Sequence, residues 1–489
     1  MRKANRNLLA RTIFRERSGI NPSTIQGLAP ARRNATTLPM ETGRTSSRHV
    51  RRSVLIIVGL AMLAVATAYL ASAAKAPGSN AFDGAWQSRG YGWLWQVEGG
   101  KVARFDIGKG FCVPSSYPGT DGIGPANQAQ LSDDRQTLRL LQEDPDYFYS
   151  FERLPAPPAE CGRRPNSGPL AVFDALVENF SSHYAFFDER KIDWDRLVKT
   201  ARSRIGPDMD EADLFDIFGE LLTPFGDIHV GLGAEIDGEE ESISAADERP
   251  RTEPDVAVIP GTWNPSAAGE LLGRSARQEG DELLLYGRLG NDVGYLEIRS
   301  MEGMKATELE SALDRAIKTF ADAKAVVVDV SRNGGGLDSF ARRIARRFAA
   351  EPTVAYSKYA GDFAGDPPQA IILRPPDGPR YLGPVYLITS HDTVSAAEIF
   401  TMSMRALPNV VHLGEPTDGS LSDELWKTRP NGWILSLSNE VYLDSDGKLW
   451  EGRGIPPEFR LAISDEDEVT EEDEQSVRDV LAFIDKQSN

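Results

Sequence analysis

The sequence predicts an α/β core that is preceded by a small helical unit and a small β-rich unit. From residue 282 onward, strand-like and helix-like stretches alternate, which favours largely parallel strands covered by helices. Residues 168–226 instead keep apolar side chains at helical spacing. Between residues 81 and 154 the apolar stretches are short and separated by Gly or Asp turns, as in a small antiparallel sheet or barrel.

Charge is distributed unevenly along the 489 residues. Residues 1–52 hold twelve Lys and Arg against two acidic residues, a charge of +10. Since the whole chain has a net charge of −19, residues 53–489 carry −29. We interpret residues 1–52 as a disordered basic arm on the cytoplasmic side, within which Met40 is a second possible start. The acidic remainder is a poor match for nucleic acid, and no nucleic-acid partner is expected.

An apolar segment, Val54–Ala74, follows the basic arm and contains no formal charge. As a helix it would be about 32 Å long, enough to cross a bilayer. Residues 53–75 are therefore predicted to be a transmembrane anchor or a signal segment. Arginines flank only its N-terminal side, which puts the chain after Ala74 outside the cytoplasm, in the periplasm or the extracellular space. Cleavage near Ala71–Ala73 would instead release a secreted protein.

The predicted β-rich domain, residues 80–160, contains Cys112, and Cys161 follows directly; the chain has no other cysteine. In an oxidising compartment the two could pair and close a loop of roughly fifty residues. Two unpaired buried thiols are the alternative. The cysteines and the five scattered histidines show no zinc-site spacing, so no metal is expected.

The next three predicted regions lead into the core and through it. Residues 168–235 read as the helical subdomain, and residues 236–281 as an acidic connecting loop. The α/β core is predicted over residues 282–464. Its expected strands and helices are Asp292–Ile298, Lys305–Phe320, Ala325–Val330, Leu337–Ala349, Val385–Thr389 and Ala396–Leu407.

Two further features close the chain. Hairpin-like stretches, Gly432–Ser438 and Glu440–Leu443, follow the alternating strands and helices, with a tight turn at Asp446-Gly447. An acidic C-terminal helix is predicted over residues 465–489, with Val477 and Ile484 on its apolar face.

Ser395 stands where a predicted buried strand gives way to a helix. Backbone N–H groups and the positive end of a helix dipole would lie beside its hydroxyl, which suits a nucleophile. The same serine also begins the capping-box pattern Ser395-Ala-Ala-Glu398, so a plain helix cap is the alternative. This stretch alone does not decide between the two.

A glycine-rich turn follows the strand Ala325–Val330. Three successive glycines, Gly334, Gly335 and Gly336, allow the backbone to approach a ligand closely and to direct N–H groups toward it. Such a turn is suited to binding an anion or an oxyanion, although a glycine-rich turn is weak evidence when taken alone.

Together these motifs resemble the serine peptidase family that contains the C-terminal processing (tail-specific) proteases and the tricorn core proteases. The resemblance covers roughly residues 168–460, and the β-rich domain is not part of it. It rests on Asp329-x-x-x-Asn333-Gly-Gly-Gly, Thr393-x-Ser395-Ala-Ala-Glu-Ile, Gly414-Glu-Pro-Thr-Asp-Gly419, Gly454-Ile-Pro-Pro457, Ile192-Asp-Trp194 and Asp227-Ile-His229, in the family's order. It implies a crotonase-like core built as a ββα spiral.

The family has two catalytic arrangements, and they place the base differently. The processing proteases carry a lysine 25 residues after the serine; here that position is Ser420, and Lys427, the nearest lysine, is out of register. The tricorn-like arrangement uses a histidine from the helical part and a glutamate just before the proline turn. Those positions match His229 and Glu451.

The resemblance therefore implies Ser395 as nucleophile, His229 as general base and acid, and Glu451 as the group that fixes the histidine tautomer. It also implies oxyanion donors from the N–H of Ala396 and of one glycine among Gly334, Gly335 and Gly336. His391, four residues before the serine, is the competing base.

The expected function is that of a serine endopeptidase that cleaves peptides or unfolded protein segments outside the cytoplasm through an acyl-enzyme, without cofactor or metal. About fifty residues separate His229 from the α/β core, too few for the PDZ domain that many relatives insert there. The alternative is a catalytically inactive relative that binds peptides or glycans. Neither the substrate nor the oligomeric state can be predicted from these patterns.

Overall fold

The computed structural model describes residues 79–116, 129–141, 147–245, 254–361 and 368–487. The predicted basic arm and the apolar segment Val54–Ala74 lie outside these described residues. Of the helices that are described, none combines the length and the apolar content needed to cross a bilayer.

The first sheet has seven strands, and every neighbouring pair is antiparallel. Its strands are β1 (Gly84–Ser88), β2 (Trp93–Glu98), β3 (Lys101–Gly108), β4 (Phe111–Pro114), β5 (Ala129–Leu131), β6 (Thr137–Leu141) and β7 (Phe148–Leu154). Trp86 and Trp95 are buried in its core, so these two tryptophans serve packing. A disulfide joins Cys112 on β4 to Cys161, with 4.8 Å between their Cα atoms.

The helical part packs on a four-stranded antiparallel sheet in the order β19-β20-β8-β9. Its members are α1 (Pro169–His183), α2 (Trp194–Arg202), α3 (Glu211–Leu222), β8 (Asp227–Ile236), β9 (Glu239–Ala245), β19 (Glu424–Thr428) and β20 (Ile434–Ser438). Asp193 and Asp210 cap α2 and α3 by accepting backbone N–H groups. The apolar faces of α1 and α3 are buried in one cluster with β8 and β20, which fixes β8 against the helices.

An eight-stranded mixed sheet forms the centre of the α/β part. Its order is β10-β22-β18-β17-β14-β13-β12-β11, and all pairs from β10 to β13 are parallel. The strands are β10 (Ala257–Trp263), β11 (Arg277–Glu279), β12 (Leu284–Leu289), β13 (Val293–Ile298), β14 (Ala325–Asp329), β17 (Val385–Thr389), β18 (Val410–Gly414) and β22 (Phe459–Ile463).

Helices cover both faces of this sheet. Val326 and Val328 pack with α5 (Ala306–Thr319), α6 (Asp338–Ala345) and α7 (Ala396–Arg405), whereas Val327 packs with α4 (Pro265–Leu271) and α8 (Glu471–Gln487). Because alternate residues of β14 enter opposite cores, the strand is apolar from Ala325 to Val328, and it leads the chain toward the glycine turn.

A three-stranded sheet completes the described architecture. It pairs β15 (Thr353–Ala360) with β16 (Gln369–Leu373) and β21 (Glu440–Asp444), all antiparallel. The hairpin-like stretches Gly432–Ser438 and Glu440–Leu443 do not pair with each other, because β20 and β21 lie in different sheets; β20 pairs with β19 instead. Their alternating pattern marks two strands correctly but cannot identify their partners. The turn at Asp446-Gly447 does form, closed by the Gly447 N–H and the Asp444 carbonyl at 2.9 Å.

The acidic connecting loop predicted over residues 236–281 is also wrong, since it contains β9, β10, α4 and β11. The glutamates of β9 face solvent while its backbone pairs with β8, and Ile243 packs on the helical core. An edge strand needs few apolar side chains, so its polar composition resembles that of a loop. The other predicted domain limits remain predictions.

Buried polar contacts fasten the first sheet to the rest of the fold. Lys427 forms an ion pair with Asp106 at 3.4 Å and donates to the Gly92 carbonyl at 2.8 Å; both charged side chains are fully buried. The Tyr91 hydroxyl donates to Glu440 Oε1 at 2.6 Å. The β-rich sheet is thus packed as part of the molecule.

Removal of the disulfide is expected to destabilise the first sheet. The Cys112→Ala/Cys161→Ala chain should lose about 2–4 kcal/mol of unfolding free energy, because the bond closes a loop of 49 residues of separation in the unfolded chain. Urea unfolding followed by tryptophan fluorescence, with and without reductant, measures the loss. The wild-type chain in reductant should match the double variant, and equal midpoints for all samples would contradict a stabilising bond.

Candidate active site

Ser395 occupies a strained turn between β17 and α7. Its backbone angles, φ 56° and ψ −124°, belong to a region that residues with a side chain rarely adopt. The predicted capping box is present, since Glu398 accepts the Ser395 N–H, but an ordinary N-cap has extended backbone, so the conformation of Ser395 differs from that of a plain helix cap. The serine is half-buried, and a strained strand-to-helix turn of this kind presents a hydroxyl at the surface of a sheet.

Glu398, in the first turn of α7, fastens this strained turn to a loop that we call the bracing loop, residues 417–422. One carboxylate oxygen accepts the Ser395 N–H at 3.1 Å and the Ser420 N–H at 2.9 Å. The other accepts the Gly419 N–H at 2.8 Å and the Thr417 hydroxyl at 2.6 Å. Burial and the Asp418 charge raise the pKa of Glu398, and these donors oppose that rise by favouring the carboxylate.

The glycine turn lies directly against Ser395. The Asn333 side chain holds the turn: its Oδ1 accepts the Gly335 N–H at 2.9 Å and its Nδ2 donates to the Ile298 carbonyl at 2.8 Å. A Cβ added to Gly335 would be 2.8 Å from the Ser395 Cβ and 2.9 Å from the Val394 carbonyl oxygen. Only glycine allows this approach, and the φ of Gly335, +101°, requires glycine as well.

The predicted oxyanion donors lie in two places, the glycine turn and the start of α7. The Gly335 N–H already serves Asn333, which leaves Gly334 and Gly336 as the candidates within the turn. Gly334 is exposed, and Gly336 is held by a bridge to Met301. Ala396 is the first residue of α7, where the N–H has no acceptor in a preceding helical turn. Their role as oxyanion donors remains a prediction.

His229 is buried on β8, three residues after the glycine that ends the helical part. Its backbone N–H donates to Asp227 Oδ1 at 3.0 Å. Its ring Nδ1 is buried and has no hydrogen-bond partner among the described residues. The ring is close enough to Asp227 and Glu451 for its charge to lower the pKa of both carboxyls.

Glu451 is buried, with both carboxylate oxygens occupied. Arg190 Nη2 donates to Oε1 at 2.5 Å, and the N–H groups of Leu421 and Ser422 donate to Oε2 at 2.9 and 3.0 Å. Burial raises the pKa of Glu451, and the Arg190 charge opposes the rise. Glu451 thus braces the same loop as Glu398 does, from the opposite end.

The structure gathers Ser395, Glu451 and His229 around the bracing loop without linking them in a triad. The Ser395 N–H donates to the Ser420 carbonyl at 3.1 Å, and the next residue, Leu421, donates to Glu451. Within the described part of the chain, no hydrogen bond joins the His229 ring to Ser395 or to Glu451. The predicted roles of these residues therefore remain predictions.

The competing bases lie in other surroundings. His391 Nε2 is 4.0 Å from Glu415 Oε2, an ion-pair contact when the ring is protonated. Lys427 points into the first sheet, toward Asp106, and burial lowers its pKa to about 8 while Asp106 raises it. At the position where processing proteases carry a lysine, the Ser420 hydroxyl donates to Asp418 Oδ1 at 2.7 Å.

Two contributors to the site were missed in the sequence. The first is Arg190, which pairs with Glu451 and with Asp227. The second is Asp227 itself, which the sequence indicated only as part of the motif Asp227-Ile-His229. Burial raises the pKa of Asp227, but Arg190 and His229 outweigh it, so the pKa lies below its usual value. The sequence gives no clear signal for Arg190, because it stands within the charged run Asp188-Glu-Arg-Lys191, which resembles an exposed turn.

Two segments of the chain match models of known peptidase families. Residues 292–461 match the model of peptidase family S41, and residues 169–223 match the tricorn protease C1 domain. The chain is 24% identical over 176 residues to the carboxy-terminal processing protease CtpA of Bacillus subtilis, and 24% identical over 172 residues to a probable CtpA-like serine protease of Staphylococcus haemolyticus. These alignments cover 36% and 35% of this chain and 36% and 34% of the relatives. The chain thus spans about a third of the length of each.

A solved structure extends the likeness beyond these segments. The crystal structure of a putative peptidase from Parabacteroides merdae superposes with a TM-score of 0.54 at 27% identity, over 65% of this chain and 97% of the other. The fold and the motifs around Ser395 are like those of serine-type peptidases. Within that class, the family that residues 292–461 match is peptidase family S41.

The closeness of the glycine turn to Ser395 gives a direct test. Gly335→Ala should lower turnover of a peptide substrate roughly 10²–10³-fold, because the new methyl group pushes Ser395 and the oxyanion donors apart. The rate at which a fluorophosphonate labels Ser395 should fall as well. Gly290→Ala, in open space, is the matched control. Normal labelling of the Gly335→Ala chain would show that the turn does not position the serine.

Proposed function

We propose that this chain is a serine endopeptidase that cleaves peptides or unfolded protein segments through an acyl-enzyme intermediate. The observation that carries the proposal is the strained backbone of Ser395, held beside a glycine turn at the start of a helix. Strain of this kind persists only where the surrounding contacts impose it, and such sites cluster where chemistry occurs. Here Glu398 and the bracing loop impose it.

In the proposed reaction, His229 removes the proton from the Ser395 hydroxyl as the oxygen attacks the scissile carbonyl. The negative charge that develops on the carbonyl oxygen is met by the N–H groups of Ala396 and of Gly334 or Gly336. His229 then gives the proton to the leaving amine, and water hydrolyses the acyl-enzyme by the same route in reverse.

Glu451 is assigned to hold the His229 tautomer by accepting the Nδ1–H. The buried and unpartnered Nδ1 supports this role, since a buried ring N–H without an acceptor is costly. Glu451 Oε1 can accept a second hydrogen bond beside that from Arg190, because each carboxylate oxygen carries two lone pairs. The proposed active geometry therefore requires the imidazole to turn toward Oε1.

We also propose that the core is a crotonase-like ββα spiral, with the helical subdomain and the β-rich domain preceding it. The succession of β12, β13 and α5 along one sheet supports this description. The peptidase is proposed to act outside the cytoplasm, attached to a membrane through residues 54–74. The apolar segment after a basic arm supports that location, as does the bond between Cys112 and Cys161.

A catalytically inactive protein that binds peptides is the second candidate. It is favoured by one observation, namely that no hydrogen bond links His229 to Ser395 or to Glu451 among the described residues. The two candidates differ in whether the serine reacts.

Turnover of a fluorogenic unfolded protein by the full-length chain in detergent tests the proposal. Ser395→Ala and His229→Ala should each lower the rate roughly 10⁴-fold or more, because nucleophile and base act as one unit. Ser403→Ala, the same change further along α7, is the control for the serine, and His391→Ala is the control for the base.

The outcomes separate the assignments. Loss of turnover in His391→Ala but not in His229→Ala would move the base to His391. A wild-type chain that neither turns over nor reacts with a fluorophosphonate, yet binds the unfolded protein in calorimetry, would establish the inactive alternative.

A further inference from the structure

Arg190 lies between α1 and α2, and its side chain has 0% exposure to solvent. A guanidinium so deeply buried cannot touch a substrate. Any effect that it has on the reaction must therefore pass through the groups that it contacts.

Those contacts reach three separate segments of the chain. Arg190 Nη1 donates to the Gly226 carbonyl, and Nη2 donates to the Gly419 carbonyl at 3.1 Å and to Glu451 Oε1 at 2.5 Å. Its Nε lies 3.4 Å from Asp227 Oδ2. Lysine cannot reproduce this set, because one ammonium cannot direct planar N–H groups to three acceptors.

Each of these segments carries a part of the candidate site. Gly226 immediately precedes β8, which bears His229. Gly419 belongs to the bracing loop, whose Ser420 carbonyl accepts the Ser395 N–H. Since the His229 ring makes no hydrogen bond to the other two side chains in the described structure, Arg190 is a side chain that spans the gap between β8 and the loop.

The charges around Arg190 are unbalanced without it. Asp227 and His229 of β8, Tyr184 after α1 and Glu451 all pack close by, and the Tyr184 hydroxyl donates to Asp227 Oδ2 at 3.0 Å. One guanidinium thus compensates two buried carboxyl groups beside the ring of His229. Removing its charge would expose the imidazole to uncompensated negative charge.

We propose that Arg190 is a positioning residue for the peptidase reaction: it holds the start of β8, Glu451 and the bracing loop together, and so sets the separation between His229 and Ser395. The inference rests on the proposed function, because it concerns the base and nucleophile assigned there. A purely structural role for this buried ion pair is the competing explanation.

The kinetic test compares Arg190→Met and Arg190→Lys in the full-length chain, with rates expressed per serine titrated by fluorophosphonate. Arg190→Met should lower kcat roughly 10²-fold and leave KM within about twofold, because the reacting groups are misplaced and the substrate contacts are not. Arg190→Lys, which keeps the charge, should recover part of the loss. Arg202→Met, which removes an exposed ion pair with Asp174, should change neither constant.

The second readout is independent of turnover. The chain has five histidines, so NMR can resolve the ring signals of His229, assigned with a His229→Gln variant. In Arg190→Met these signals should move, because Asp227 and Glu451 beside the ring lose the guanidinium that holds them in place. In Arg190→Lys they should move less, and in Arg202→Met they should stay where they are.

The outcomes keep the two proposals apart. Wild-type kcat per titrated serine together with unmoved His229 ring signals in Arg190→Met would overturn the positioning role while leaving the peptidase intact. If Arg190→Met does not fold, Arg190→Met/Asp227→Asn restores the net charge of the cluster and takes its place. An inactive wild-type chain would refute the proposed function instead, and the His229 ring signals would then decide alone whether Arg190 positions His229.

Discussion

Two buried carboxyl groups hold four successive backbone N–H groups of one loop, and the position of Ser395 depends on that arrangement. Glu398 accepts from residues 419 and 420, and Glu451 accepts from residues 421 and 422. The loop in turn accepts the Ser395 N–H through the Ser420 carbonyl. Because both carboxyl groups are buried and fixed, the loop cannot shift without breaking several hydrogen bonds at once and leaving buried polar groups without partners. The loop therefore helps to hold Ser395 in its strained backbone conformation.

The rest of the architecture delivers these carboxylates to the loop. Because β14, β17 and β18 are parallel, the glycine turn after β14 and the serine turn after β17 both lie at the carboxyl-terminal end of these strands. The helical part delivers Arg190 and His229 from the other side, and the first sheet supports β19 and β21 through Lys427 and Glu440. The site is therefore assembled from segments that are remote in sequence and meet at one loop.

How much of this the sequence could predict depends on whether a feature is local. The strand Val385–Thr389 and the start of its helix at Ala396 were predicted to the residue, because buried strands and helix starts have local signatures. The acidic strand β9 was missed, because pairing at a sheet edge involves the backbone rather than apolar side chains.

Contacts between distant residues were beyond such reasoning. Lys427 was considered as a substitute base, but it pairs with Asp106, which lies 321 positions earlier. Periodicity describes one element at a time and cannot reveal a partner in another domain. The pairing of Arg190 with Glu451, 261 positions apart, was missed for the same reason. What the motifs did provide was the neighbourhood of the site, and what they could not provide was the network of charges that fixes its geometry.

The position of β22 has a consequence for the newly made chain. This strand comes near the end of the sequence, yet it lies in the interior of the eight-stranded sheet, between β10 and β18. Until residues 459–463 have been synthesised, both neighbours present unpaired edges, which are prone to join other chains. Glu451 also appears only shortly before that strand. A growing or truncated chain therefore lacks both a complete sheet and a braced loop, so it is exposed to aggregation and degradation at that stage.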